Sequence, residues 1–131
     1  MQEVWQPVKG YEGLYEVSDQ GRVKRSGRPV WTKANGGCWQ IRRERVLKQR
    51  LGNPGSGSRR YWMVWIYRQG KVSGKMVHRL VAEAFVPGDN SLTVNHIDND
   101  PLNNVPSNLE WLTLEDNLKD GHRRRGHKVK F

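Results

Sequence analysis

Cysteine is almost missing from this sequence. Cys38 is the only one, which excludes an internal disulfide and any zinc site built on cysteines. Long apolar runs are missing as well, so no transmembrane helix is expected. The amino terminus, MQEVWQPVKG, lacks the basic-then-apolar order of a signal peptide. Hydrophobic residues are scarce, at 35% with a mean hydropathy of −0.86, and they lean on six Trp and four Tyr. At 131 residues the chain fits one small domain, alone or with an appendage, and reads as soluble and intracellular.

One further absence is local. From Leu80 to Leu118 there is no Lys or Arg, while seven acids occur: Glu83, Asp89, Asp98, Asp100, Glu110, Glu115 and Asp116. The rest of the chain carries all 23 bases, and the formal charge of the whole is +10. The basic excess points to a polyanionic partner, nucleic acid first. A protein that merely coats nucleic acid has little use for a segment that repels phosphate. One that sets a divalent cation against a phosphate does, because the ion reverses the local field. That contrast first suggests catalysis.

Residues 3–25 read as short strands around turns, with Tyr15 and Val17 alternating with Glu16 before the turn residues SDQG. Residues 26–58 read as irregular and basic, ending in the glycine-rich GNPGSGS, which lacks the spacing of a phosphate loop. Residues 61–77 read as a hairpin turning at Gln69-Gly70, with Tyr61, Met63, Trp65 and Tyr67 on one face and Trp62, Val64 and Ile66 on the other. Both faces are apolar, so either both are covered or the aromatic one meets a partner; burial is the expectation, because other core residues are few. The segment 77–85, VHRLVAEAF, has helical spacing and is stopped by Pro87-Gly88. His78 falls on the packed side of that helix and is read as a core residue.

A strand around Thr93–Ile97, an Asn-rich loop (NHIDNDPLNN, 95–104), a second strand at Glu110–Thr113 and a helix capped by Thr113 complete the pattern. In that helix Leu114 and Leu118 are expected to face inward. The order strand, loop, strand, helix, marked by His96, Asn108 and Asn117, resembles the HNH nucleases and their ββα-metal (His-Me) finger. Residues 78–117 resemble the phage homing-type branch throughout. Residues 3–25, with W-x-x-V-x-G-Y-E-G-x-Y-x-V-S-x-x-G-x-V, are similar to the nuclease-associated modular motif that precedes such domains.

The resemblance implies an α+β fold: a small antiparallel β region, then a helix and the finger. It divides the chain into a DNA-binding N-terminal unit at 1–58, a hairpin, helix and nuclease unit at 59–125, and a basic tail at 126–131. It implies a metal-dependent endonuclease acting on double-stranded DNA, with no membrane partner. A monomer would nick; a double-strand cut would take a homodimer or sequential nicking. His96 would be the general base, and Asn108 would hold the loop so that His96 points correctly. Asn95 and Asn117, with Asp98 as a further candidate, would supply oxygens to one divalent ion. Oxygen ligands suit Mg²⁺ or Mn²⁺, and no structural zinc is expected. Several relatives carry Asp before the histidine and His in the helix, so two amides leave metal affinity open. Arg22, Lys24, Arg25, Arg42, Arg43, Arg45, Lys48, Arg59, Arg60, Arg123, Arg124 and Arg125 are the candidate phosphate contacts. The rival readings are a catalytically inactive DNA-binding regulator on the same scaffold and an RNA-binding protein that stacks bases on its aromatics.

Overall fold

The computed structural model describes residues 2–52 and 60–116. The chain begins with β1 (Trp5–Pro7), β2 (Tyr15–Ser18) and β3 (Val23–Arg25), then a ribbon of β4 (Arg28–Thr32) and β5 (Cys38–Arg42). Two short strands follow, β6 (Arg45–Val46) and β7 (Arg50–Gly52). Next come β8 (Tyr61–Arg68), β9 (Lys71–Met76) and the helix α1 (Val77–Phe85). The hairpin of β10 (Thr93–His96) and β11 (Leu109–Leu112) ends the regular elements, and a further helix begins at Leu114. The fold is α+β, and every strand pair among the described residues is antiparallel. One sheet has the order β1-β2-β3-β6 and another β7-β8-β9; β4–β5 and β10–β11 are two-stranded. Among the described residues no helix is long and apolar enough to cross a membrane.

The hairpin expected at 61–77 forms as read. Gln69 and Gly70 both have positive φ, 52° and 78°, as a two-residue primed turn requires. Val64 and Ile66 are fully buried, each contributing about 1.5–3 kcal/mol of hydrophobic stabilisation. The opposite face departs from expectation: Trp65 is 47% exposed and Tyr67 60%. Strand β7 pairs only with the first three residues of β8, so among the described residues no strand lies beside the far end of that face. Trp65 rests on its cross-strand partner Gly74, where an added Cβ would sit 3.1 Å from the indole nitrogen.

Residues 26–52 are more ordered than their composition suggested, and 53–58 lie outside the described residues. Strands β4 and β5 pair over five positions, with Trp31 directly opposite Trp39 and their rings edge to face at 5.5 Å. Asn35, Gly36 and Gly37 all take positive φ and reverse the chain between them. A five-residue link carries no two-residue hairpin signature, which is why the sequence hid it. The helix α1 has the expected bounds. Strand β11 starts one residue earlier than expected, at Leu109. Thr113 does cap the next helix, its hydroxyl accepting from the Asp116 N–H at 3.1 Å. Leu114, expected inward, is 64% exposed, and Leu118 lies outside the described residues.

The core runs across the expected boundary at residue 58. Val8, Tyr15, Val17 and Val23 from the first sheet and its turn pack with Val64 and Ile66 of β8, with α1, and with Leu109 of β11. The Tyr15 hydroxyl also accepts from the Tyr67 N–H at 3.0 Å. The N-terminal sheet and the β10–β11 hairpin therefore sit on one shared core, with α1 between them. Arg79 of α1 donates to the carbonyls of Asn90 and Leu92 and lies over the Trp111 ring, tying the 86–92 connection to the helix. Gly88 allows that connection to pass Trp111, whose ring would be 2.4 Å from an added Cβ.

Candidate active site

Twelve residues, 97–108, join β10 to β11; the Ile97 N–H bonds the Asn108 carbonyl at 2.8 Å across its base, and side chains add most of the remaining ties. Asn108 does most of this. Its amide oxygen accepts from the Asp98 N–H at 2.9 Å, and its Nδ2 donates to Asp98 Oδ1 and to the Asn103 carbonyl, each at 2.9 Å. Asp98 answers from the other side, accepting from the Asp100 N–H at 2.8 Å and from Asn103 Nδ2 at 2.8 Å. The bonds from Asn103 and Asp100, with smaller help from Asn108 and His96, hold its carboxyl below the usual carboxylate range. Asp100 accepts from the Leu102 N–H at 3.0 Å. Asn99 closes a turn onto the His96 carbonyl with φ of 64°, a conformation asparagine tolerates better than most residues. The abundance of Asn and Asp is thus the loop's own hydrogen-bonding framework.

His96 ends β10 beneath this loop and is only 4% exposed. Its Nε2 lies 2.8 Å from Oδ1 of Asn104, itself buried. Its ring is packed by two others: His78 of α1 at 4.9 Å and Tyr61 of β8, stacked at 6.2 Å. Tyr61 and His78 also meet, at 5.0 Å. His78 is buried as the helical pattern implied, and its Nδ1 has no hydrogen-bond partner among the described residues. Burial, with the neighbouring His96 and Arg79 adding to it, pushes the His78 pKa down to about 3. His78 is therefore a neutral wall against the His96 ring. Spacing alone showed that His78 is packed; it could not show what it packs against.

Asn95 precedes His96 on β10, and its Nδ2 donates to Oε2 of Glu110, its register partner on β11, at 2.9 Å. An amide oxygen is a hard donor by type, and the Glu110 carboxylate bonded to Nδ2 adds negative charge. The residues present fit a hard divalent cation in donor chemistry, oxygen and not sulfur. The set is incomplete, because Asn117 lies outside the described residues. Among the described residues no group of three His, Cys, Asp or Glu side chains could hold a metal. Both carboxylate oxygens of Asp98 are already engaged within the loop.

A strand-ending histidine under an Asn-organised loop, followed by a second strand and a capped helix, matches a known family in sequence too. Residues 75–119 match the HNH endonuclease family and residues 3–61 the NUMOD4 motif. An HNH endonuclease segment thus follows a NUMOD4 segment in this chain. The chain is 32% identical over 117 residues to the DNA endonuclease I-HmuI of Bacillus phage SP01, covering 88% of this chain and 56% of that protein. It is 32% identical over 123 residues to the uncharacterized HNH endonuclease L247 of Acanthamoeba polyphaga mimivirus, covering 89% and 25%. A solved structure described as DNA binding and cleavage by the HNH homing endonuclease I-HmuI superposes with a TM-score of 0.69 at 29% identity, over 98% of this chain and 62% of that one. The chain thus spans between a quarter and just over half the length of these curated relatives.

Within this HNH framework the acidic segment has an unexpected use. Glu83 pairs with Arg79 at 3.4 Å, Asp89 accepts from Ser91, and Asp98 and Asp100 organise the loop. Most of these acids shape backbone, and Glu110 is placed beside a candidate metal ligand. The basic candidates divide as well. Arg22 is paired with Glu3, and Arg25 donates to the Arg43 carbonyl at 2.9 Å. Lys24 sits between Glu16 and Glu44, at 3.6 and 3.0 Å, with its ammonium 4.3 Å from the Trp5 ring centroid. Lys24 and Arg25 are half-buried in these contacts, while Arg22 stays exposed beside Glu3. Arg42, Arg43, Arg45, Lys48 and Arg60 are exposed, whereas Arg59, Arg123, Arg124 and Arg125 lie outside the described residues.

Proposed function

We propose that this chain is the nuclease part of a homing-type DNA endonuclease that hydrolyses a phosphodiester bond of duplex DNA. The observation that supports it best is His96 at the end of β10, beneath a loop whose bonds converge on Asn108 and Asp98. His96 acts as general base. An imidazole nitrogen with a free lone pair in its neutral form is the side-chain group best suited to take a proton from water. The water oxygen bonds to phosphorus, its proton passes to His96, and the bond to the 3′ oxygen breaks as that oxygen takes a proton from solvent water. The products are a 3′-hydroxyl and a 5′-phosphate.

Asn95 and Asn117 are the proposed oxygen ligands of one Mg²⁺ or Mn²⁺ ion, with Glu110 adding charge next to Asn95. When bound, such an ion supplies charge stabilisation at the phosphate and the leaving oxygen. Two amides hold a cation weakly, so binding is expected to depend on the DNA phosphate as well. Arg22, Arg42, Arg43, Arg45, Lys48 and Arg60 are the proposed phosphate contacts, since these residues are exposed. With one finger per chain, a monomer nicks one strand, and cutting both takes a second copy or a second encounter.

The test is a supercoiled plasmid carrying the cognate insertion site, incubated with Mg²⁺ or Mn²⁺. Wild type is expected to produce open circle, and His96→Ala is not. Asn117→Ala is expected to stop nicking while a gel-shift assay shows DNA still bound. Binding without nicking by wild type in either ion would favour the inactive regulator, and preference for structured RNA over duplex would favour the RNA-binding reading.

A further inference from the structure

The general base is held by more than its own loop. His96 Nε2 lies 2.8 Å from Asn104 Oδ1, and both residues are buried, at 4% and 5% exposure. An amide oxygen only accepts, so in this contact Nε2 must carry the ring proton. A neutral imidazole has one N–H, which makes Nδ1 its basic nitrogen. Asn104 therefore selects the tautomer as well as the ring orientation.

Asn104 is in turn braced from the other end of the chain. The turn after β2 brings Gly21 against it: a Cβ built on Gly21 would meet Asn104 Cβ and the Asn104 carbonyl oxygen at 3.2 Å each. Gly21 has φ of +79°, where glycine is the residue without steric cost. The turn is itself rigid. Fully buried Ser18 accepts through its hydroxyl from the Gln20 and Arg22 N–H groups, both at 3.1 Å. Gln49 Nε2 donates to the Gly21 carbonyl at 2.7 Å and pins it from the β6–β7 connection.

We propose that Asn104, braced by the Gly21 turn of the N-terminal sheet, is a positioning residue that fixes His96 as the Nε2–H tautomer, so that Nδ1 is the nitrogen that takes the proton. The role rests on His96 being the base. It gives the N-terminal unit a second role, because besides any contact with DNA that unit forms the back wall of the active-site loop. The shared core across residue 58 is the structural counterpart of that coupling.

Two measurements on the full chain separate this proposal from the nuclease reading. Long-range proton–nitrogen NMR of the histidine rings, with His96 assigned by its loss in His96→Ala, reads the tautomer without any activity. Wild type is expected to show protonated Nε2, Asn104→Ala a mixture of tautomers, and Asn104→Asp, which keeps an acceptor oxygen, the wild-type pattern. In the nicking assay Asn104→Ala is expected to lower kcat on the order of 10- to 100-fold with KM for DNA unchanged, as for other partners that orient a functional histidine. Asn104→Asp is expected to recover most of that loss. Gly21→Ala should shift tautomer and kcat in the same direction without weakening DNA binding; if its thermal melt shows a folding defect, Gln49→Ala tests the same brace.

Protonated Nδ1 in the wild type, or an unchanged tautomer in Asn104→Ala, would overturn the proposal. So would a change confined to KM, which would make Asn104 a DNA contact. Wild-type behaviour of both Gly21→Ala and Gln49→Ala would remove the brace from the N-terminal sheet. A wild type that never nicks would sink the nuclease reading, while the NMR result would still decide how His96 is held.

Discussion

Two hairpins of this molecule solve the same problem in opposite ways. β8 and β9 are joined by two residues, Gln69 and Gly70, whose backbone angles alone turn the chain. β10 and β11 are joined by twelve, and that link keeps its shape through the side chains of Asn108, Asp98, Asn103 and Asp100. The short turn needs only residues that tolerate positive φ, so its demands are local. The long one makes every member depend on several others, which suits a loop that must hold one histidine still. The hairpins meet at α1, where His78 packs against Tyr61 of the first and His96 of the second.

The largest effect is expected from the centre of the long loop. Asn108→Ala removes three side-chain hydrogen bonds at a buried position. Urea denaturation should show a loss of about 2–4 kcal/mol, counting roughly 1 kcal/mol per bond. Nicking should fall by about 100-fold or more, because the histidine loses its frame. Near-normal activity in Asn108→Ala would mean that the loop is held by something other than the bonds described.

The meeting point of the hairpins is expected to show next, in acid. His78 has a folded pKa of about 3 against an ordinary 6.5, so the unfolded chain takes up its proton first. Its neutral form favours the fold fully above about pH 6.5, and that share is lost as pH falls toward about 3. The slope from this one group is at most about 1.4 kcal/mol per pH unit. His78→Phe should flatten the pH dependence of stability in that window. An unchanged pH profile would show that the two hairpins meet across a wetter contact.

The smallest effect is expected at the short turn. Gly70→Ala meets no atom within 4 Å, so its cost is the left-handed backbone alone, about 1–2 kcal/mol. Nicking by this variant should match wild type at temperatures where it stays folded. A large loss of activity from Gly70→Ala, comparable with that of Asn108→Ala, would erase the distinction between a structural turn and a site-forming one.

The contrast also explains how far the chain could be read before folding. Helix α1 and the β8–β9 hairpin were legible because period and turn chemistry are local properties: Leu80, Val81, Ala84 and Phe85 recur at helical spacing, and Gln69-Gly70 has the residues a tight turn requires. The order of the finger and the candidates His96 and Asn108 were legible through family resemblance. Ribbon β4–β5 was not, since its five-residue link has no short-turn signature and its exposed Trp31 and Trp39 resemble core residues in composition. Leu114 misled for the same reason: an apolar residue at helical spacing does not say which side has something to pack on.

Sequence by itself determined the types of group available: a histidine, amides and carboxylates around it, a basic remainder, and no thiol pair for zinc. It also determined the local turns and the helix, because those depend on near neighbours. Tertiary structure decided what the carboxylates do, turning Asp98 and Asp100 to loop geometry and leaving Glu110 beside Asn95. It decided which bases are spent inside the fold, as Lys24 is between Glu16 and Glu44. And it decided what holds His96: Asn104 within the same loop, His78 on the helix, and Gly21 far upstream against Asn104. Such contacts depend on how the core brings distant segments together, and no spacing along the chain encodes that distance.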